Sequence, residues 1–455
     1  MDFTGGNRVL KTPLEKWIKA KIGSPATGAG LRQELDLHQL MKLRETVDYA
    51  RSRSSFYRKL LANVCGGDLH GLGDIARLPF TTGEDILEDD LRFLCVSRDE
   101  IARVVTLNTS GTTSPAKRLH FTDDDLELTT DLFHHGMTTM VRAGQKVLIL
   151  MPGEQYGSVG DLMVKALRRM DVEGIVHGIV RDEGRAIAEI IENRIDCVIG
   201  IPVQVLGLAR HRDAGAIGRG RIKSVLLSAD YVPTTVAQEI SHVWGCRVYN
   251  HYGMTEMGLG AAVDCRALSG YHIREADLYF EIIDPVTGCK LPDGQRGEVV
   301  FTTLTRRGMP LIRYRTGDLS EFIPEPCPCG TILKRLAWVK GRLCGQIKLG
   351  SNHWLNITEL DEVLFTLPEI KNFRAVLLSD NGTDCLQITL HVGDKEERGV
   401  SRVARNVLEL VPAVRAALAE RKLTIAPVCT SEDNWLTTGS IKRTIIDRRM
   451  EQICS

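Results

Sequence analysis

Short, nearly pure apolar runs recur along the first half of the chain: Val147-Leu148-Ile149-Leu150-Met151, Cys197-Val198-Ile199-Gly200-Ile201 and Ser224-Val225-Leu226-Leu227. Amphipathic stretches over 185–194 and 234–244 separate them. Strands that are apolar on both faces and alternate with helices predict an α/β chain with mostly parallel sheets, covered on both sides. Residues 1 to about 80 are charged, with Leu31, Leu35, Leu40 and Leu43 at helical spacing. The texture changes at 278–304, where Leu278–Asp284, a Pro-Asp-Gly turn at 292–294 and Gly297–Leu304 predict a hairpin within a β-rich subdomain. Gly341-Arg342 opens a last segment of mixed strands and helices, the helices expected over 357–367 and 399–422. The expected division is a large N-terminal domain, 1–340, and a small α+β domain, 341–455, behind a glycine-flanked hinge.

Composition narrows the function classes. Lysine plus arginine and aspartate plus glutamate both number 58, so no global field favours nucleic acid or an anionic membrane. No run of about 20 apolar residues appears. The start, Met1-Asp2-Phe3-Thr4-Gly5-Gly6, lacks the apolar stretch of a signal peptide. Twelve cysteines without a disulfide framework fit a reducing cytoplasm. The expectation is a cytoplasmic protein with neither a nucleic-acid nor a membrane partner.

Candidate chemistry begins at Thr109-Ser110-Gly111-Thr112-Thr113-Ser114-Pro115-Ala116-Lys117. Small hydroxylated residues and glycine, closed by a lysine, can wrap a polyphosphate with backbone N–H groups, hydroxyls and an ammonium. The loop lies between a strand expected over 102–107 and a helix start at Asp123-Asp124-Asp125. Further on, His251-Tyr252-Gly253-Met254-Thr255-Glu256 follows an apolar strand, the place where open α/β sheets bind ligands. Thr255 there could equally cap a helix. Tyr314-Arg315-Thr316-Gly317-Asp318 is a third polar turn.

Taken in this order and spacing, the three segments resemble the adenylate-forming superfamily of acyl-CoA ligases, luciferases and carrier-loading domains. Phe56-Tyr57-Arg58-Lys59-Leu60, Leu78-Pro79-Phe80-Thr81-Thr82, Gly270–Glu275, Gly297–Thr305 and Met309–Thr316 are similar to phenylacetate–CoA ligases, and the likeness runs from about residue 50 to 450. It implies ATP-dependent adenylation of a small, aromatic carboxylic acid, then transfer to coenzyme A as the default acceptor, with the C-terminal domain rotating between the half-reactions. Lys117, Glu256 and Lys442 become the catalytic candidates, Glu256 as the Mg²⁺ ligand. Ser110, Gly111, Thr112, Thr113, Ser228, Ala229, Asp230, His251, Tyr252, Gly253, Thr255, Asp318 and Arg342 become nucleotide- and acyl-binding residues, Asp318 holding the ribose. Homodimers are common in the family, and the residues themselves decide nothing on that point.

Departures from the pattern matter. Ser440 stands where the family's C-terminal lysine is expected, in Thr437-Thr438-Gly439-Ser440-Ile441-Lys442-Arg443. Lys442 lies on the same side of an extended segment, roughly 6.6 Å along, and is read as a displaced substitute. Cys344 and Gly345 replace the usual hinge aspartates, and Ser114 replaces a glycine. These changes keep two rivals open: an adenylating enzyme with an amine, carrier or other non-CoA acceptor, and a nucleotide-binding member without turnover. Cys265, His272, Cys327 and Cys329 make a zinc ligand set around the β-rich segment. Cys289 and Cys344 read as packing residues. The expected acyl loop, 151–158, is polar at Glu154 and Gln155.

Overall fold

The computed structural model describes residues 10–107, 116–343, 345–350, 352–380, 382–392, 399–431 and 443–449. The phosphate-loop residues Ser110, Gly111, Thr112 and Thr113, the hinge residue Cys344, and Ser440 and Lys442 lie outside this set. Two units partition the chain. The first comprises 1–144, 152–174 and 249–339; the second comprises 145–151, 175–248 and 340–455.

Within the first unit, the helix Gly28–Arg53 buries Leu31, Leu35, Gln39, Leu43, Thr46, Val47 and Ala50, a stripe at spacings of three and four. Thr122 caps the helix Asp123–Met137, its hydroxyl accepting from the Asp125 N–H while the Asp125 carboxylate accepts from the Thr122 N–H. That box explains why three aspartates open this helix. The strand Arg103–Leu107 pairs antiparallel with Lys117–Phe121, Leu107 opposite Lys117. Three further strands, Leu278–Ile283, Gly297–Thr303 and Tyr314–Ser320, form the expected β-rich layer, antiparallel throughout. A second antiparallel ladder sets His251 opposite Val263, Val263 opposite His272, and His272 opposite Arg335.

In the second unit, Lys146–Ile149, Cys197–Gly200 and Ser224–Leu227 lie parallel, Val147 opposite Cys197 and Cys197 opposite Ser224. Helices Glu183–Glu192 and Pro202–Ala209 intervene, and Thr234–Trp244 follows the last strand. This is the α/β alternation that the apolar runs predict. The last segment contributes a long hairpin, Ile370–Asp380 with Thr383–Val392, flanked by the helices Ile357–Leu364, Val400–Leu408 and Pro412–Ala419. One helix was expected over 399–422. Pro412 divides it, because its ring pushes Val411 into the extended region at ψ 120°.

Several polar contacts tie this last segment to 175–248 inside the same unit. Arg210 donates to the carbonyls of Phe365, Leu367 and Ile370 at 2.8, 2.9 and 2.5 Å. Lys371 pairs with Glu183 at 2.6 Å. Tyr231 and the Thr234 N–H both donate to Glu362. Cys289, read as a packing residue, is exposed.

Candidate active site

Lys117 begins the strand Lys117–Phe121, and its ammonium reaches Glu256 Oε1 and, at 3.2 Å, the Tyr314 hydroxyl. That hydroxyl donates to the same Oε1 at 3.2 Å. Glu256 sits in a single 3₁₀ turn, Thr255–Met257, ended by Gly258 at φ 78°. Only 2 % of Glu256 is exposed, so its charge needs the Lys117 partner it has. Arg306 braces the turn from behind, donating to the Glu256 carbonyl at 2.8 Å and to the His120 carbonyl at 3.0 Å.

A second cluster lies on the same unit. Tyr252 closes the strand Arg247–Tyr252 and donates from its hydroxyl to Asp318 Oδ2 at 2.9 Å. Asp318 is buried to 6 % exposure in a strand whose even-numbered residues point inward. Tyr314 and Asp318 therefore share one face of that strand, four residues apart. Gly317 between them adopts φ 72°, which few other residues would accept there. His251 precedes Tyr252. Burial, with Arg274 nearby, pushes its imidazole down to about 4, so it stays neutral at physiological pH.

Thr255 is the first residue of its turn, and Met254 holds the N-cap position. Gly253 leaves room for close passage: a Cβ there would meet the Gly260 backbone at 2.7 Å. Ser228, Ala229, Asp230 and Arg342 belong to the second unit, where Ala229 adopts φ 74° and Asp230 accepts from the Tyr231 N–H at 2.9 Å. Glu154 is exposed, and Gln155 accepts from Arg103 at 2.8 Å. Arg443, next in sequence to Lys442, pairs with buried Asp361 and lies 4.3 Å above the Phe373 ring. Two residues that motif reading did not assign stand out, Tyr314 and Arg306. Counting back along the alternating strand from Asp318 would have found Tyr314; nothing local marks Arg306.

Cys265, His272, Cys327 and Cys329 converge, all four ligand atoms lying within 4.8 Å of one another and all four residues buried. A tetrahedral centre with sulfur arms of about 2.3 Å has sulfur–sulfur edges near 3.8 Å, and about 3.6 Å from sulfur to an imidazole nitrogen. Cys265 and Cys327 Sγ are 3.7 Å apart, and Cys329 Sγ lies 3.6 Å from His272 Nε2. The donor set and its edges fit such a centre. Beside it, Asp264 accepts from Trp338 Nε1 at 2.9 Å and from the Asn250 N–H at 2.8 Å.

Residues 95–304 match the AMP-binding enzyme family. A phenylacetate–coenzyme A ligase of Thermus thermophilus is 29 % identical over 364 residues, covering 77 % of this chain and 80 % of that protein. One from Pseudomonas putida is 29 % identical over 395 residues, covering 84 % of each. Among solved structures, a 2-hydroxyisobutyryl-CoA ligase in the postadenylation state aligns with TM-score 0.76 at 21 % identity, over 91 % of this chain and 90 % of that one. These likenesses agree with the order and spacing of the three polar segments: residues 95–304 match the AMP-binding enzymes, and the chain is similar over most of its length to phenylacetate–coenzyme A ligases.

Proposed function

We propose that the protein is an AMP-forming ligase that activates a small aromatic carboxylic acid with ATP and passes the acyl group to coenzyme A. The observation that carries this reading is the pair of clusters in the first unit. One couples a cation to a buried carboxylate at Lys117 and Glu256; the other holds the carboxylate of Asp318 on a phenol. The similarity to ligases that act on phenylacetate supports the acid class.

Hydroxide or oxide leaves a carboxylate badly. In the first half-reaction a carboxylate oxygen attacks the α-phosphorus of ATP, forming an acyl–phosphate bond and releasing pyrophosphate. In the second, the coenzyme A thiolate attacks the acyl carbon and AMP leaves. Lys117 is suited to offset the charge that builds on the α-phosphate, because its position is fixed before reaction. Asp318 is suited to accept from the ribose hydroxyls, and His251, neutral at pH 7, adds no charge beside Tyr252. Magnesium, when bound, neutralises phosphate charge. Glu256 is the residue that would hold it, since this buried carboxylate already stands against a cation. Cys265, His272, Cys327 and Cys329 would hold a structural zinc ion. Residues 341–455 act as the mobile lid between the half-reactions. The free thiols of Cys95, Cys197 and Cys246 are those a reducing cytoplasm preserves.

ATP–pyrophosphate exchange across a panel of aromatic and aliphatic acids tests the first step, and acyl-CoA formation tests the second. Exchange without acyl-CoA would favour an amine or carrier acceptor. Absence of exchange with every acid would favour nucleotide binding without turnover. Lys442→Ala addresses the displaced lysine: unchanged exchange rules out its role.

A further inference from the structure

Tyr314 has no part in the motif-based roles, yet its hydroxyl lies 3.2 Å from both Lys117 Nζ and Glu256 Oε1. Its side chain is 2 % exposed. A neutral phenol is the group this place requires, because it accepts from the ammonium while donating its own proton to the carboxylate. A phenylalanine of the same shape can do neither.

The backbone that aims this ring is unusually constrained. Arg313, immediately before it, adopts φ 48°, a conformation that L-residues avoid without compensation. Its guanidinium meets both oxygens of Glu281 at 3.1 Å, donates to the Leu78 carbonyl at 2.7 Å, and lies 4.0 Å over the Phe80 ring. Its N–H donates to Thr302 Oγ1 at 2.9 Å, and its carbonyl accepts from the Thr81 N–H at 3.1 Å. Thr81 Oγ1 donates to the Ile312 carbonyl at 2.7 Å, and the Ile312 N–H donates to the Tyr57 hydroxyl at 3.0 Å. Residues 312 and 313 are thereby fixed through main chain and side chain together, and Tyr314 inherits that fixity.

We propose that Tyr314 is a positioning residue for the phosphate end of the site, its hydroxyl setting Lys117 and Glu256 relative to one another, with Arg313 as the strut that orients it. The phenol donates to Glu256 whether or not the Lys117 ammonium also meets an anionic substrate. The inference rests on the ligase reading for its kinetic consequence, while its structural consequence stands apart from that reading.

Tyr314→Phe tests both. The first measurement is competitive acetylation of protein amines by trace acetic anhydride at neutral pH, with Lys117 followed by mass spectrometry. Loss of the hydroxyl partner is expected to raise Lys117 labelling several-fold against other lysines in the same folded sample. The second is pyrophosphate exchange. Removing both hydrogen bonds to charged groups predicts a fall in kcat of roughly 10–100-fold, with KM for ATP within about threefold because Asp318 is untouched. Wild-type labelling of Lys117 together with wild-type kcat would overturn the proposal. A wild-type protein devoid of exchange would overturn the ligase reading instead, and Lys117 labelling would still decide for or against Tyr314.

Discussion

Tyr252 donates to Asp318 across 66 residues of sequence, so the second polar segment orients the carboxylate of the third. The hydrogen bond at 2.9 Å fixes the direction of the Asp318 Oδ2 oxygen. Asp318→Ala is therefore expected to weaken ATP binding by roughly 10–100-fold, the worth of a charge-assisted hydrogen bond. It should also abolish any preference for ATP over 2′-deoxy-ATP. Tyr252→Phe should weaken binding less, because Asp318 keeps its charge and loses only its guide. Isothermal calorimetry with MgATP measures all three effects.

On the proposed reading, Lys117 and a divalent cation would compete for the Glu256 carboxylate, whose Oε1 already meets the Lys117 ammonium. The wild-type protein is thus expected to bind free Mn²⁺ weakly when no nucleotide is present. Lys117→Met leaves the Glu256 carboxylate without its ammonium and should strengthen nucleotide-free Mn²⁺ binding about tenfold or more, since a buried carboxylate left unpaired is costly. Electron paramagnetic resonance of free Mn²⁺ reads this directly, and Lys117→Met/Glu256→Gln should remove the gain.

The Cys265, His272, Cys327 and Cys329 cluster predicts about one zinc ion per chain by elemental analysis of purified protein. Cys327→Ser should lose most of that zinc and lower the unfolding midpoint by several degrees, because the ion would staple the turn at 327–329 to the strands Ala262–Asp264 and Tyr271–Ile273. Well under one zinc per chain in the unmutated protein would refute the assignment.

Two histidines should lower the stability of the first unit as the pH falls through the range in which an ordinary imidazole protonates. Burial, aided by the neighbouring charges of His134, Arg169 and Lys21, pushes His135 down to about 4 from its usual 6.5. His251 is pushed equally far, by burial and Arg274. Between pH 6.5 and 4 the unfolded chain binds protons at these sites that the folded chain refuses, so stability falls as pH falls through that window. His135→Asn should flatten the slope in urea unfolding followed from pH 7 to 4.5. His135 stacks on Trp17 at 5.1 Å, so the tryptophan fluorescence reports the same transition.

Local chemistry made much of this structure legible. The apolar runs at 147–151, 197–201 and 224–227 became strands because a segment that is apolar on both faces has few other places to go. Three consecutive aspartates at 123–125 announced a helix start, to which the structure adds the Thr122–Asp125 capping box. The cysteine and histidine set was found from residue type alone. What stayed hidden is tertiary. No spacing rule connects Lys117 to Glu256, 139 residues on, or Arg306 to the Glu256 carbonyl. Tyr314 was within reach of strand alternation, but its meaning depends on what faces it. Pro412 was visible in the sequence, and the helical periodicity on either side of it masked the break.

Arg210 holds three main-chain carbonyls between Phe365 and Ile370 with one planar group. A guanidinium cannot slide across such a set and keep its bonds, since its donors are fixed in a fork. Any swing of the C-terminal segment away from 175–248 must release all three at once, along with the Lys371–Glu183 pair. Movement of that segment would accordingly be switch-like, engaged or disengaged, with few stable stopping points between.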